Sequence, residues 1–179
     1  SPSGKRLIKS LGDGVVVTFD EADIPHIKAN SQSDALFALG YLHATERSWQ
    51  MEMNRRIASG RLSEILGSET VNIDRFIRTL GVKRAAEQQF DKYPVAAKRL
   101  LQAYADGVNA GLADLSVRPW PYLLLSTKPE AWQPEDSFLV GYAMFFDLQD
   151  ESNEREFKLW QLKGALPDPI YKLLTETQS

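Results

Sequence analysis

Residues 36–67, LFALGYLHATERSWQMEMNRRIASGRLSEILG, form the stretch that decides the fold. Just upstream, Ser31 and Asp34 have the spacing of a capping box, and they open a helical pattern that runs at least to Ala58. At about 1.5 Å per residue the helix is expected to be some 40 Å long, and Gly60 is a candidate for its end. The stretch contains no catalytic group of its own.

Two short strands are predicted upstream of this helix. Gly14–Asp20 is a β-branched run that indicates a buried strand, and Ile24–Ala29 indicates a second strand with Pro25 near its start. Together they predict a hairpin. Because a two-stranded hairpin is marginal alone, we expect its strands to complete a sheet contributed by another chain or domain.

Further helices are predicted downstream. Tyr93–Leu115 is amphipathic with Pro94 in its first turn, a helix from Pro134 ends at Leu148, and Ser152–Lys163 forms another. Prolines flank a tryptophan in residues 118–125, which predicts an irregular apolar segment. The chain is therefore expected to be α+β and mostly helical. We divide it into a flexible start (1–12), a β-hairpin (13–30), a helical region (31–174) and a polar tail (175–179).

Composition excludes several classes of protein. The 179 residues carry a net charge of −3, which provides no basic field to attract nucleic acid. Cysteine is absent, so disulfides, thiolate metal sites and a cysteine nucleophile are excluded. No run approaches the length of a membrane span, and the start lacks the apolar core of a signal peptide. If the protein is exported, its signal has already been removed.

Nucleophilic catalysis needs a base near the nucleophile, and the chain has only two imidazoles, His26 and His43. Neither lies in a recognisable motif, so we interpret both as structural histidines, with a site role as the alternative. Ser1 offers an N-terminal hydroxyl beside its own α-amine, but its polar, glycine-containing context favours a trimmed end. If the protein is an enzyme, its catalytic centre is expected elsewhere.

The chain has one strong acidic cluster, which comprises Asp147, Asp150, Glu151, Glu154 and Glu156. It has two interpretations, a solvated helix N-terminus or part of a calcium site, since calcium needs six to eight oxygen ligands. Residues 143–146 and Leu148 place large apolar groups beside these charges. They are expected either in a helical core or in the wall of a ligand pocket.

Several motifs, taken in order, resemble the small α subunit of the penicillin acylase (penicillin amidase) family of N-terminal-nucleophile hydrolases. They are Ile24–Ile27, Gly40-Tyr41, Glu46-Arg47, Gln50–Met53 with Arg55-Arg56, Gly60, Leu66-Gly67, Tyr104–Gly107 with Asn109-Ala110, and Trp132-x-Pro134 with Asp136. Each is weak alone. Together they make a specific match from about Gly14 to Gly164.

The resemblance implies a heterodimer cut from one secreted precursor, with a larger β chain that begins with the catalytic serine. The joint fold is expected to be a four-layer αββα sandwich to which this chain contributes the hairpin and helices. The implied reaction is hydrolysis of the side-chain amide of penicillins or related N-acyl compounds through an acyl-enzyme. This chain then carries no catalytic residue, no organic cofactor is implied, and a periplasmic or secreted location is expected.

The resemblance also assigns roles to individual residues. Met144 aligns with a methionine that lines the acyl pocket of penicillin G acylases, and Leu148 falls where those enzymes carry a phenylalanine. Glu154 falls on the α-chain ligand of a structural calcium ion. Phe145 and Phe146 are second-tier pocket candidates beside Met144. Asp147 stands where penicillin G acylases have an arginine near the pocket mouth, so the charge at this position is negative instead of positive.

Two alternatives stay open. Because Leu148 removes a flat aromatic wall, a longer or aliphatic acyl chain is an open alternative to phenylacetyl, and an N-acyl-homoserine lactone acylase is a close alternative function. The other class is a non-enzymatic helical subunit that binds a partner through Trp49, Met51, Met53 and residues 120–125.

Overall fold

The computed structural model describes residues 14–148, with only the backbone described for Phe146 and Asp147. Its first elements are strands β1 (Val16–Phe19) and β2 (Pro25–Lys28), which pair antiparallel with Val16 opposite Lys28. The hairpin is confirmed, but the interpretation of β1 as a buried strand is wrong for this chain, since Val16 is 57% exposed. Within the described residues the sheet has two strands, in which exposed and half-buried residues alternate.

Helix α1 (Gln32–Ser59) is the long helix predicted by the sequence. Ser31 caps it by accepting a hydrogen bond from the backbone N–H of Asp34, as the capping box predicts. Gly60 ends it in the left-handed conformation, with φ 64°. The helix is interrupted once, because Arg47 has non-helical angles of φ −132° and ψ 21°. The expected single rod is therefore two helical halves that meet at a kink.

A compact turn follows α1 and leads into four short elements. They are α2 (Ser63–Leu66), a 3-10 helix (Ser68–Thr70), α3 (Val71–Leu80) and α4 (Val82–Lys92). The buried carboxylate of Asp74 caps α2 from a distance, since it accepts hydrogen bonds of 2.8 Å from the backbone of Leu62 and Ser63. Burial alone would raise the pKa of Asp74, but the bonds from Ser63 and Leu62 hold it below its ordinary value.

Helix α5 (Val95–Ala113) packs along the first half of α1. Pro94 precedes it in an extended conformation, so α5 begins one residue after Pro94 rather than including it in its first turn. Gly40 on α1 faces the backbone of Tyr104, and a Cβ built on Gly107 would lie 2.0 Å from the carbonyl oxygen of Phe37. These glycines let the two helix backbones approach closely, which explains why a glycine stands in each of two family motifs.

The remaining described helices are α6 (Trp120–Leu124) and α7 (Asp136–Asp147). The prediction of irregular chain over 118–125 is wrong, because Pro119 and Pro121 stand at the cap and in the first turn, where a helix tolerates proline. The buried Tyr122 of α6 donates a 3.1 Å hydrogen bond to the carbonyl oxygen of Ser48, next to the kink of α1. Helix α6 therefore docks where α1 is interrupted.

Two small cores lie between these elements. One contains Ala44, Ala105, Val108 and Trp132, and the other contains Ala58, Val82, Ala86 and Leu139. The chain divides into two units, residues 1–144 and 145–179, and only the first four residues of the second are described. The helix predicted at Ser152–Lys163 and the limits set for the flexible start and polar tail lie outside the described residues. Every helix in residues 14–148 is too short or too polar to cross a membrane.

Candidate functional site

The second half of α1 carries a buried charged group made of Glu52, Arg55 and Arg56, each 3–4% exposed. The Glu52 carboxylate accepts a hydrogen bond from Arg55 and another, of 2.6 Å, from Nε of Arg56. Residues three and four apart lie on one face of a helix, so the local sequence brings the three side chains together. One carboxylate thus neutralises part of two buried guanidinium charges.

Arg56 and Arg61 extend this group toward the surface through Glu64 and Glu130. Arg56 donates to Glu64 and to Glu130, both at 2.7 Å, and Arg61 contacts the same two carboxylates. The hydrogen bonds from Arg61 lower the pKa of Glu64 and of Glu130. Burial would lower the pKa of Arg56, but its bonds to Glu52 and Glu64 raise it above the ordinary value. All four side chains therefore stay charged at neutral pH.

Arg55 turns the other way and holds the segment 129–136 that leads into α7. Its Nη1 donates to the carbonyl oxygen of Ala131 at 2.9 Å and to Oδ2 of Asp136 at 3.0 Å. Its guanidinium also lies 5.2 Å from the centre of the Trp132 ring. Asn109 of α5 clasps the same segment, because its amide bonds both the N–H and the carbonyl of Trp132, at 2.7 and 2.9 Å.

A cleft of about 290 Å³ lies beside this charged network. Charged side chains, including Arg61, Lys83, Glu130 and Asp136, form much of its lining. Sites for small molecules are mostly apolar with a few polar anchors, and these charges are largely paired with one another. The cleft therefore does not suit an apolar acyl group.

The pocket candidates lie at the other end of α7. Met144 is in its last turns and is 60% exposed, Phe145 follows and is 56% exposed, and Leu148 comes one residue after the helix and is 76% exposed. The helical-core interpretation is therefore wrong for these three residues. The exposure of each side chain, taken singly, is compatible with the pocket-wall interpretation.

The other predicted site residues cannot be placed in the same way. Phe146 and Asp147 belong to α7, but their side chains lie outside the described part of the structure. Glu154, predicted to bind calcium, lies outside the described residues with the rest of the acidic cluster, and so does Ser1. Among residues 14–148 no group of three or more acidic, histidine or cysteine side chains is arranged to hold a metal ion.

Both histidines have partners that fit a structural role. Nδ1 of His43 lies 3.0 Å from the hydroxyl of Tyr104, and Nε2 of His26 lies 3.0 Å from Oδ2 of Asp20. Burial lowers the pKa of His43, and the positive charge of Arg47 adds to the shift. The neutral form of His43 is thus favoured between α1 and α5, where it links the two helices.

The role of the charged network is not predicted by the sequence. Glu52, Arg55, Arg56 and Asp136 stand out there only as parts of the motifs that carry the family resemblance. Part of the network is nevertheless indicated by the sequence, because three ionisable residues stand at helical spacing within the long predicted helix. Charged residues rarely become fully buried without pairing, so their burial would have called for an acidic partner elsewhere in the chain.

Comparison with known proteins identifies the family. A model of the penicillin amidase family matches residues 14–177. The penicillin acylase 2 proenzyme of Pseudomonas sp. strain SE83 is 43% identical over 165 residues, which is 92% of this chain and 21% of that protein. The acyl-homoserine lactone acylase QuiP of Pseudomonas putida is 37% identical, covering 96% of this chain and 23% of that protein. The chain belongs to the penicillin amidase family.

A solved structure supports the same fold. The thermostable penicillin G acylase from Alcaligenes faecalis superposes with a TM-score of 0.67 at 23% identity, over 93% of this chain and 94% of that chain. The mostly helical arrangement with one small two-stranded sheet is thus shared with an acylase chain of similar extent. The chain spans about a fifth of the length of the curated relatives it matches.

Proposed function

We propose that this chain is the α subunit of a heterodimeric acylase that hydrolyses linear amides, with the nucleophile on a larger β chain. The observation that carries the proposal is the family match over residues 14–177. Two further findings support it. One relative is named a proenzyme, and the chain corresponds to only 21% of that protein, which leaves most of the length for a partner subunit from the same precursor.

In the proposed reaction, the hydroxyl of the β-chain N-terminal serine attacks the amide carbonyl while its own α-amine takes the proton. The carbon–nitrogen bond then breaks and the amine leaves with a proton. Water hydrolyses the resulting ester and releases the acid. Backbone and asparagine donors of the β chain hold the oxyanion. The α chain contributes the acyl wall with Met144, Leu148, Phe145 and Phe146, and Glu154 supplies one ligand of a structural calcium ion.

The four-layer αββα sandwich and a periplasmic or secreted location belong to the same proposal. The hairpin supports the first, because its sheet has two strands within the described residues and Val16 of β1 is 57% exposed, which is the condition in which a partner sheet can add to it. Exposed apolar side chains on α6, including Trp120 and Leu124 at 71% each, supply further surface for such a partner.

The experiment that tests the function uses the whole protein encoded by the gene that contains this chain. The purified protein is incubated with penicillin G, penicillin V and a series of N-acyl-homoserine lactones, and the released amine is measured. Hydrolysis of either class is expected, and it should vanish when the first serine of the β chain is replaced with alanine. A correctly assembled protein that cleaves none of these amides would favour the non-enzymatic binding subunit instead.

Acyl-homoserine lactone acylase is the second candidate function. Leu148 favours it, because an exposed leucine in place of an aromatic wall suits an aliphatic chain. Relatives named for this activity are 37% and 38% identical to this chain, close to the 43% of the penicillin acylase 2 proenzyme. The proportion of activity on penicillins and on homoserine lactones in the same screen decides between them.

Leu148→Phe is expected to shift preference toward phenylacetyl amides by about tenfold relative to an octanoyl amide, since an aromatic wall packs on a flat acyl group. The measurement is the ratio of kcat/KM for the two amides. Leu124→Phe is the matched control, because Leu124 is similarly exposed on α6 and should leave the ratio unchanged. An unaltered ratio in Leu148→Phe would exclude Leu148 from the acyl pocket.

Glu154→Ala is expected to lower the bound calcium by one ion per heterodimer, because a carboxylate oxygen is a ligand that calcium prefers. Metal analysis of the purified protein before and after the substitution measures this. Glu156→Ala, in the same acidic stretch, serves as the control and should keep the parent stoichiometry. If Glu154→Ala also keeps it, Glu154 is not a ligand.

A further inference from the structure

The start of α7 is defined by a residue of another helix. Arg55 of α1 bonds Asp136, the first residue of α7, and the carbonyl of Ala131 five residues earlier. Asp136 in turn accepts a 2.9 Å hydrogen bond from the backbone N–H of Gln133. One nitrogen, Nη1, therefore joins both ends of the segment that enters the helix, while the other, Nη2, bonds Glu52 on α1. The planar guanidinium thus holds the segment at a fixed position relative to α1.

Met144 stands on the same helix eight residues after Asp136, which corresponds to about 12 Å along the axis. Leu139, between them, is buried against Ala58 of α1 and against α4. Met144 itself is mostly exposed, so few contacts of its own determine where its side chain lies. Its position instead follows from how the earlier turns of α7 are anchored to α1.

Stability is a poor explanation for this arrangement. The side chains of Arg55 and Glu52 are only 5% and 4% exposed, and the cost of removing such charges from water offsets much of their attraction. Nε of Arg55 is also buried and has no hydrogen-bond partner among residues 14–148, which adds a further cost. An apolar side chain of similar volume would avoid both costs. An apolar side chain would not, however, form the hydrogen bonds that hold the start of α7 in place.

We propose that Arg55 is a positioning residue for substrate selection, which acts through Asp136 and α7 to set the location of Met144 in the acyl pocket. This inference rests on the proposed function, because the contact between Met144 and the acyl group is part of that proposal. It adds that chain-length preference depends on a buried ion pair two helical turns away. A lysine at position 55 keeps the charge but has one nitrogen, so it cannot bond Glu52 and the segment 131–136 through separate nitrogens as Nη2 and Nη1 do.

The test measures selectivity in the whole protein for Arg55→Lys and for Asp136→Asn, a second variant that weakens the same contact from the other side. The readout is the ratio of kcat/KM for phenylacetyl and octanoyl amides of one leaving group, which does not depend on the fraction of active enzyme. We expect the ratio to change about threefold or more, because small displacements of a binding surface have large effects on reactivity. Asp74→Asn is the control, since it replaces one of two buried oxygens that accept hydrogen bonds around α2, and within the described residues Asp74 makes no hydrogen bond to segment 129–136.

Hydrogen exchange provides a readout without catalysis. The backbone amides of residues 139–144 are expected to exchange faster in Arg55→Lys and Asp136→Asn than in the parent, and to be unaltered in Asp74→Asn. If the ratio and the exchange of both variants match the parent, the inference is overturned. If the parent hydrolyses neither amide, the proposed function fails, and unchanged exchange in α7 would then separately refute the anchoring by Arg55.

Discussion

Gly107→Ala is expected to lower the free energy of unfolding by about 3 kcal/mol or more, at the upper end of the cost of overpacking. The new Cβ would lie 2.0 Å from the carbonyl oxygen of Phe37 and 2.7 Å from its carbonyl carbon. Both are backbone atoms of α1, so no side-chain rotation relieves the overlap. The two helices must separate, which loosens the core that includes Ala105 and Val108.

Chemical denaturation of the whole protein, followed by far-ultraviolet circular dichroism, measures this loss. Gly141→Ala is the matched control, because Gly141 also lies in a helix and a Cβ there meets no atom within 4 Å. Alanine stabilises a helix interior by about 1 kcal/mol relative to glycine, so this variant should be at least as stable as the parent. A stable Gly107→Ala protein would mean that α1 and α5 pack less closely than described.

Glu52→Gln is expected to cost about 3 kcal/mol, since removal of one partner leaves buried charge without compensation. The substitution keeps the shape of the side chain but removes the negative charge that Arg55 and Arg56 share. The remaining carboxylates near Arg56 are 41% exposed and cannot replace one that is 4% exposed. The same denaturation experiment measures the loss.

Glu87→Gln is the control for this substitution. Glu87 lies 3.9 Å from Lys83 on the surface of α4, with about half of each side chain exposed. Exposed pairs of this kind contribute about 0–1 kcal/mol, so Glu87→Gln should be close to the parent. Equal effects of Glu52→Gln and Glu87→Gln would contradict the burial of the network. This expected cost is consistent with a positioning role for Arg55. Removing one partner of a buried ion pair is destabilising, whereas replacing the whole pair with apolar groups is often neutral or stabilising.

The limits of α1 could be predicted from local sequence, and the reason is that local interactions set them. Ser31 and Asp34 are three residues apart, and the Ser31 hydroxyl accepts a hydrogen bond from the Asp34 backbone and donates one to the Asp34 carboxylate. Gly60 ends the helix because glycine adopts positive φ without strain. The hairpin was equally visible in its β-branched run. In α6, by contrast, the prolines predict irregular chain, although Pro119 and Pro121 occupy positions where a helix begins.

The charged network could not be predicted from the sequence, because its partners are distant along the chain. Arg55 and Asp136 are 81 residues apart, and Arg56 and Glu130 are 74 residues apart. No proline or glycine marks the kink at Arg47, so the sequence does not predict it, and α3 and α4 are not distinguished within the broad helical region that it predicts. The pocket candidates Met144 and Leu148 came from family resemblance. The structure adds their exposure, while their role in binding stays a prediction.

The kink at Arg47 divides α1 into two halves that make different kinds of contact. Before it, Gly40 and Ala44 lie against α5, where each added atom meets backbone or core. After it, Glu52, Arg55 and Arg56 meet carboxylates and carbonyls of other segments. Substitutions that compensate one another are therefore expected to conserve volume between the first half and α5, and to conserve net charge between the second half and residues 129–136. In an alignment of the family, the two halves of this one helix are therefore expected to show two different patterns of covariation.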